Sequence, residues 1–159
     1  MPEPVFLYWD ANIFLSYINN EPTRVQVIDA IFENIQKNQK EKIVTSVISK
    51  VEVAWASIEK LNRALSQIEE DKIDDLWNDE SVIELVDFND DIALLARSIM
   101  RQGMINHWRL KTNDAIHLAS AQWVQASEIN TYDIQKLSKF QAIIGIDIKE
   151  PLAIQPKLF

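Results

Sequence analysis

Val5-Phe6-Leu7-Tyr8-Trp9 is an unbroken apolar run that stops at Asp10. Five apolar residues with no polar one among them have no solvent face. A strand built from them must be covered on both sides, as in a parallel sheet. The carboxylate at its end then falls on the edge of an open α/β sheet where strands give way to helices and ligands bind. The pattern recurs outward from this segment. Ile43-Val44-Thr45 runs through Ser46 into helical sequence containing Glu52, Val82 to Val86 reads as a third strand, and Ile129 to Tyr132 precedes Asp133. Ala142 to Ile146 reads as one more strand.

Helical sequence fills the intervals. A short helix is expected from Asn12 to Ile18. A second starts near Pro22 and carries Val25, Ile28, Ile31, Phe32 and Ile35 at helical spacing. Val51, Ala54, Trp55 and Ile58 form the apolar stripe of a long helical region. The next helix, Arg63 to Trp77, turns Leu65, Ile68 and Leu76 inward and leaves the acidic segment from Glu69 to Asp75 as a solvated face. Asn89 or Asp90 caps a helix stopped near Gly103, and Thr112 or Asn113 caps one running to about Ala126. This alternation predicts one α/β domain over residues 1–150, a mainly parallel sheet flanked by helices, with 151–159 as an extended tail.

Composition narrows the function. The chain has 159 residues, enough for one ordinary domain with an adequate core. No apolar run approaches the ~20 residues of a membrane span. The N-terminus lacks the basic region and cleavage site of a signal peptide, so a cytoplasmic protein is expected. Without cysteine there is neither disulfide nor thiolate metal site. Two glycines are too few for a dinucleotide turn or a phosphate loop. The net charge of −8 disfavours general attraction to nucleic acid, so a polyanionic substrate requires bound cations and a local basic patch.

Asp10, Glu52, Asp114 and Asp133 carry the chemistry. Each has a local explanation. Asp10 and Asp133 can cap the helices that follow them, Ser49-Lys50-Val51-Glu52 fits a capping box, and Asp114 lies in a first helical turn. Caps have no reason to recur along one sheet edge, whereas a metal site requires convergence. Two bare carboxylates ~5 Å apart repel by about 3 kcal/mol at an effective dielectric of 20. A crowded set is relieved by protons or by a hard divalent cation held through oxygen. Such an ion assists phosphodiester hydrolysis without a nucleophilic side chain.

At these residues the sequence resembles the PIN-domain nucleases, most of all the stand-alone VapC-type toxins of toxin–antitoxin pairs. The matching pieces are Tyr8-Trp9-Asp10-Ala11-Asn12-Ile13-Phe14, then Thr45-Ser46 through Glu52-Val53, Thr112-Asn113-Asp114-Ala115-Ile116-His117-Leu118-Ala119, and Thr131-Tyr132-Asp133. They span nearly the whole chain in the family's order. The resemblance implies an α/β/α sandwich and an endoribonuclease dependent on Mg²⁺ or Mn²⁺. It also implies a cognate antitoxin and commonly a homodimer. The family's acidic residues carry over onto Asp10, Glu52, Asp114 and Asp133. Asp10, Asp114 and Asp133 are the expected metal ligands, with Glu52 and Asp133 binding directly or through water. Thr131 corresponds to a hydroxyl residue that assists the last acid. The family often places a large apolar residue three positions after that acid, whereas here the position holds Lys136, leaving Leu137 and Phe140 to do the packing.

Further candidates surround these four. His117 shares a helix face with Asp114, as a hydrogen-bond partner of the site or as a buried structural histidine. Asn12 and Ser46 either line the pocket or serve turns. Arg97, Arg101, Arg109 and Lys111 form the densest basic interval, and Arg109, Lys111 and Thr131 are the expected substrate contacts. Trp108 is the candidate for base stacking, the other tryptophans being mainly core. Two rival readings stay open: a catalytically inactive RNA- or protein-binding module, and a phosphoacceptor using Asp10.

Overall fold

The computed structural model describes residues 3–153. Val5–Trp9 forms β1, the middle strand of the sheet. It pairs in parallel with β2 (Glu41–Ser46) on one side and with β4 (Glu128–Asn130) on the other. Beyond these lie β3 (Ile83–Val86) and β5 (Asp147–Lys149), so five parallel strands run in the order β3-β2-β1-β4-β5. The chain builds outward from β1 in one direction and then returns to build in the other. The switch point therefore lies between β1 and β4, where open α/β sheets place their ligand crevice.

The apolar run of β1 is buried as its composition demands. Leu7 and Trp9 enter a core on one face, with α1 (Ala11–Ile18), α2 (Arg24–Asn38) and α5 (Gln67–Asn78). Tyr8 enters a second core on the other face, with α6 (Asp90–Ile105), α7 (Thr112–Trp123) and α9 (Gln141–Ile144). Period-two alternation along one strand thus feeds both layers of an α/β/α sandwich. Leu137 and Phe140 are buried in the second core, on α8 (Ile134–Leu137) and the 3₁₀ turn Ser138–Phe140. Among the described residues no helix is long and apolar enough to cross a membrane.

Several expected elements are placed differently. Ala142 to Ile146 is not a strand: it contributes to α9, which ends at Gly145 with φ of 71°, and β5 follows at Asp147. A short apolar run does not distinguish the two by periodicity. The long helix expected around Val51 to Ile58 is two pieces, α3 (Ser49–Glu52) and α4 (Ser57–Asn62). Val51, Trp55 and Ile58 are exposed, and Val53 and Ala56 are buried in their place. Arg63 adopts the left-handed conformation that ends α4, so the following helix begins at Gln67, and Leu65 and Ile68 are 78 % and 79 % exposed. Trp123 is also about half exposed rather than core. Of the expected tail, residues 154–159 lie outside the described residues.

Candidate active site

The sheet brings the four acids together at its switch point. Trp9 pairs with Asn130, so the residues that follow them, Asp10 and Thr131, leave the sheet side by side. Asp10 caps α1 by accepting the Asn12 N–H at 3.2 Å, so a local cap and a place in the site fall on one side chain. Asn12 then ties the two strand ends. Its Nδ2 donates to Asp10 Oδ2 at 3.3 Å and to Thr131 Oγ1 at 3.0 Å, and its Oδ1 accepts the Tyr132 N–H at 3.1 Å.

Glu52 arrives from the other side of β1. The expected capping box does not form, because the Ser49 hydroxyl bonds Thr45 Oγ1 at 2.7 Å. Thr45 in turn donates to the Trp9 carbonyl at 2.7 Å, fastening the end of β2 to that of β1. Released from its own helix, Glu52 accepts Asn113 Nδ2 at 2.7 Å and meets His117 Nε2 at 2.5 Å, both from α7. His117 is buried and its Nδ1 lies 2.7 Å from the Tyr8 hydroxyl. The Tyr8 oxygen already accepts the Ser46 N–H at 3.1 Å. Its proton therefore goes to Nδ1, which leaves Nε2–H to donate to Glu52. Burial pushes the Tyr8 hydroxyl far above its ordinary pKa and keeps that proton in place.

Asp114, in the first turn of α7, has Oδ2 at 3.5 Å from Lys136 Nζ. Asp133 precedes α8 but makes no cap bond to it, so its carboxylate is free for the cavity. Asp10, Glu52, Asp114 and Asp133 line a single cavity of about 390 Å³, with Asn12, Lys111, Asn113, His117 and Lys136. Arg109 does not line it. That residue lies with Lys111 and Lys136 on a larger adjoining groove of about 1310 Å³, floored by α6 and the segment leading to α7. Thr131, expected to touch substrate, is fully buried, and its hydroxyl accepts the Asp133 N–H at 3.0 Å to shape the loop. Ser46 is likewise buried and accepts the Ile48 N–H at 3.2 Å. Trp108 lies on the groove with its ring packed edge-on to Phe140, centroids 5.6 Å apart.

The electrostatics suit a cation. Burial pushes the Asp10 carboxyl up to about 6, against the Thr131 hydroxyl and the Asn12 N–H, and the charge of Asp114 adds to the rise. Burial also disfavours ionised Glu52, but its hydrogen-bonded and electrostatic interaction with His117, with the Asn113 hydrogen bond, outweighs it and holds this carboxyl below its usual value. Among the described residues no three Asp, Glu or His side chains converge closely enough to form a closed ligand shell. An all-oxygen set lining a cavity without closing on a point fits Mg²⁺, which is held by one or two carboxylates and keeps several waters. The raised Asp10 pKa marks a charge that such an ion would relieve.

Comparison with known proteins gives a consistent result. The family profile of the PIN domain matches residues 7–142. The fold is similar to that of VapBC2 from Rickettsia felis, solved bound to a promoter DNA fragment, at 17% identity and a TM-score of 0.68, covering 92% of this chain and 98% of that one. It is also similar to DNA-bound VapBC from Salmonella typhimurium, at 19% identity, TM-score 0.64, 92% and 98% coverage. A third similar structure is Mycobacterium tuberculosis VapC20, described as a sarcin-ricin loop cleaving toxin, at 13% identity, TM-score 0.58, 94% and 99% coverage. No curated protein sequence matches the chain.

Proposed function

The chain belongs to the PIN domain family, and from that premise we propose that it is a metal-dependent endoribonuclease, the toxin of a toxin–antitoxin pair. The observation that carries this reading is the meeting of Asp10, Glu52, Asp114 and Asp133, from four separate segments, in one cavity at the sheet's switch point. Asp10, Asp114 and Asp133 would hold a Mg²⁺ or Mn²⁺ ion between them, one or two of them directly and the remainder through its waters. When bound, that ion neutralises the carboxylates and polarises the phosphoryl oxygen. Glu52, kept ionised and fixed by His117 and Asn113, orients the attacking water. In-line displacement then breaks the P–O3′ bond and leaves a 5′-phosphate and a 3′-hydroxyl, the proton lost by the water and the one gained by the 3′-oxygen being exchanged with solvent.

Arg109 and Lys111 hold the RNA backbone on the groove beside the cavity, and Lys111 faces both. Thr131 acts through the Asp133 loop, not on the substrate. The relatives solved as VapBC complexes support a protein partner. Here Val51, Ile58, Leu61, Leu65 and Ile68 are exposed within one stretch of chain, as on surfaces that a partner covers. The expected partners are a cognate antitoxin and a second copy of the chain, which light scattering with and without the antitoxin distinguishes.

The test is cleavage of a mixed RNA pool in Mg²⁺ or Mn²⁺. Asp10→Asn and Asp114→Asn should each lower the rate by about 10²-fold or more while the circular dichroism spectrum stays native. EDTA should abolish cleavage by the wild type. Undiminished cleavage by both variants, or by wild type in EDTA, would overturn the reading. Tight RNA binding with no cleavage under any metal would favour an inactive binding module.

A further inference from the structure

Lys136 is the residue that the resemblance does not account for. It lies three positions after Asp133, on α8, and so shares the side of that short helix which faces the cavity. Its Nζ is 3.5 Å from Asp114 Oδ2, and its side chain remains 34 % exposed. The ammonium therefore stands beside Oδ2 of a carboxylate that the proposed function gives to a metal. The other acids are unequally available. Both oxygens of Glu52 already accept protein donors, Asn113 on one and His117 on the other. Both oxygens of Asp10 are bonded by Asn12.

The charges of the cavity point the same way. Four ionised carboxylates face two lysines, Lys111 and Lys136, which leaves two negative charges for metal to neutralise. One divalent ion does so. A second would have to sit beside the Lys136 ammonium and compete with it for Asp114.

Resting on the metal-dependent reading above, we propose that Lys136 stands in the place of a second divalent ion at Asp114, so that this chain binds one such ion per active site. Lys136 also borders the basic groove. With Lys111, it is thus a cation that a phosphate moving from the groove into the cavity would pass. In this role Lys136 is a positioning residue for metal and phosphate together.

The test is metal stoichiometry, read without RNA. Metal-free wild type, Lys136→Met, Lys136→Gln and Lys136→Arg are titrated with Mn²⁺ while free Mn²⁺ is followed by electron paramagnetic resonance. Circular dichroism confirms that each variant is folded. Wild type and Lys136→Arg should saturate at one ion, and Lys136→Met and Lys136→Gln at two. Two ions in the wild type overturn the assignment of Lys136 alone, and so does a single ion in both the Met and Gln variants. No Mn²⁺ bound by any of the four proteins overturns the metal-dependent reading itself, and this proposal falls with it.

Discussion

Asp10 opposes the fold that displays it. Its carboxyl is buried and titrates at about 6, against an ordinary value of 3.8. Between those values the folded chain keeps a proton that the unfolded chain has lost, so stability falls as pH rises through that window. Above about pH 6 both states are ionised and the cost is constant, about 3 kcal/mol for a rise of roughly two units. Asp10→Asn removes this charge, retains an acceptor for the Asn12 N–H, and loses about 1 kcal/mol with the Asn12 Nδ2 bond. In EDTA the variant should therefore be more stable than wild type by about 1–2 kcal/mol at pH 8, with the difference gone near pH 4. Urea unfolding at both pH values checks this, and a difference that does not change with pH defeats it. Residue roles are unevenly legible in the sequence. The four acids stand out because each follows or opens an element at one sheet edge. His117 stands out by its helix spacing from Asp114, but its pairing with Glu52, and that of Asn113, does not, because they lie 65 and 61 residues from that acid along the chain. Its local spacing from Ser49 suggests a cap that the Thr45 hydroxyl pre-empts.

Among the elements, α6 shows how one small residue carries two opposite readings. Gly103 looks like a helix stop, yet α6 runs on to Ile105. Its carbonyl accepts the Trp108 N–H at 2.8 Å, and a Cβ added there would stand 3.0 Å from the Phe140 ring and 3.1 Å from the Trp108 carbonyl oxygen. The glycine thus lets the turn after α6 close onto its own helix and lets Phe140 fill the core. Gly103→Ala gains about 1 kcal/mol of helix propensity but overpacks a site bounded by a buried ring and backbone, which costs about 1–3 kcal/mol. A net loss near 1 kcal/mol is expected from thermal unfolding, and a more stable variant would show that the packing there relaxes freely. Long-range packing of this kind explains which elements sequence periodicity placed well. β1, β2, β3 and α7 have patterns that their own burial enforces. The stretch from Val51 to Ile68 does not, since its apolar residues keep helical spacing while facing outward.

Over the whole molecule, net charge and charge placement part company. The chain carries −8, yet among the described residues the groove beside the carboxylates is lined by Arg97, Arg101, Arg109, Lys111 and Lys136 and by no Asp or Glu. Helix α6 sets Arg97 and Arg101 one turn apart, and the segment into α7 adds Arg109 and Lys111, so topology collects a local field that composition conceals. Acidic residues such as Glu70, Asp71, Asp74 and Asp75 sit on the exposed face of α5, which belongs to the opposite layer of the sandwich. Global repulsion is screened beyond about 10 Å at 0.1 M salt, whereas contacts made at ion-pair distance in the groove are screened less. If the groove holds RNA backbone, its arginines should govern the salt dependence of binding. In an Asp114→Asn background, which prevents turnover, Arg101→Ala with Arg109→Ala should weaken RNA binding. It should also make the slope of log affinity against log salt shallower by about 1.4, roughly 0.7 for each phosphate of a single strand that is no longer neutralised. Fluorescence anisotropy across a salt series measures both. Weaker binding with an unchanged slope would mean that the arginines support the groove without meeting phosphate, and the path of the RNA would then have to cross the cavity from another side.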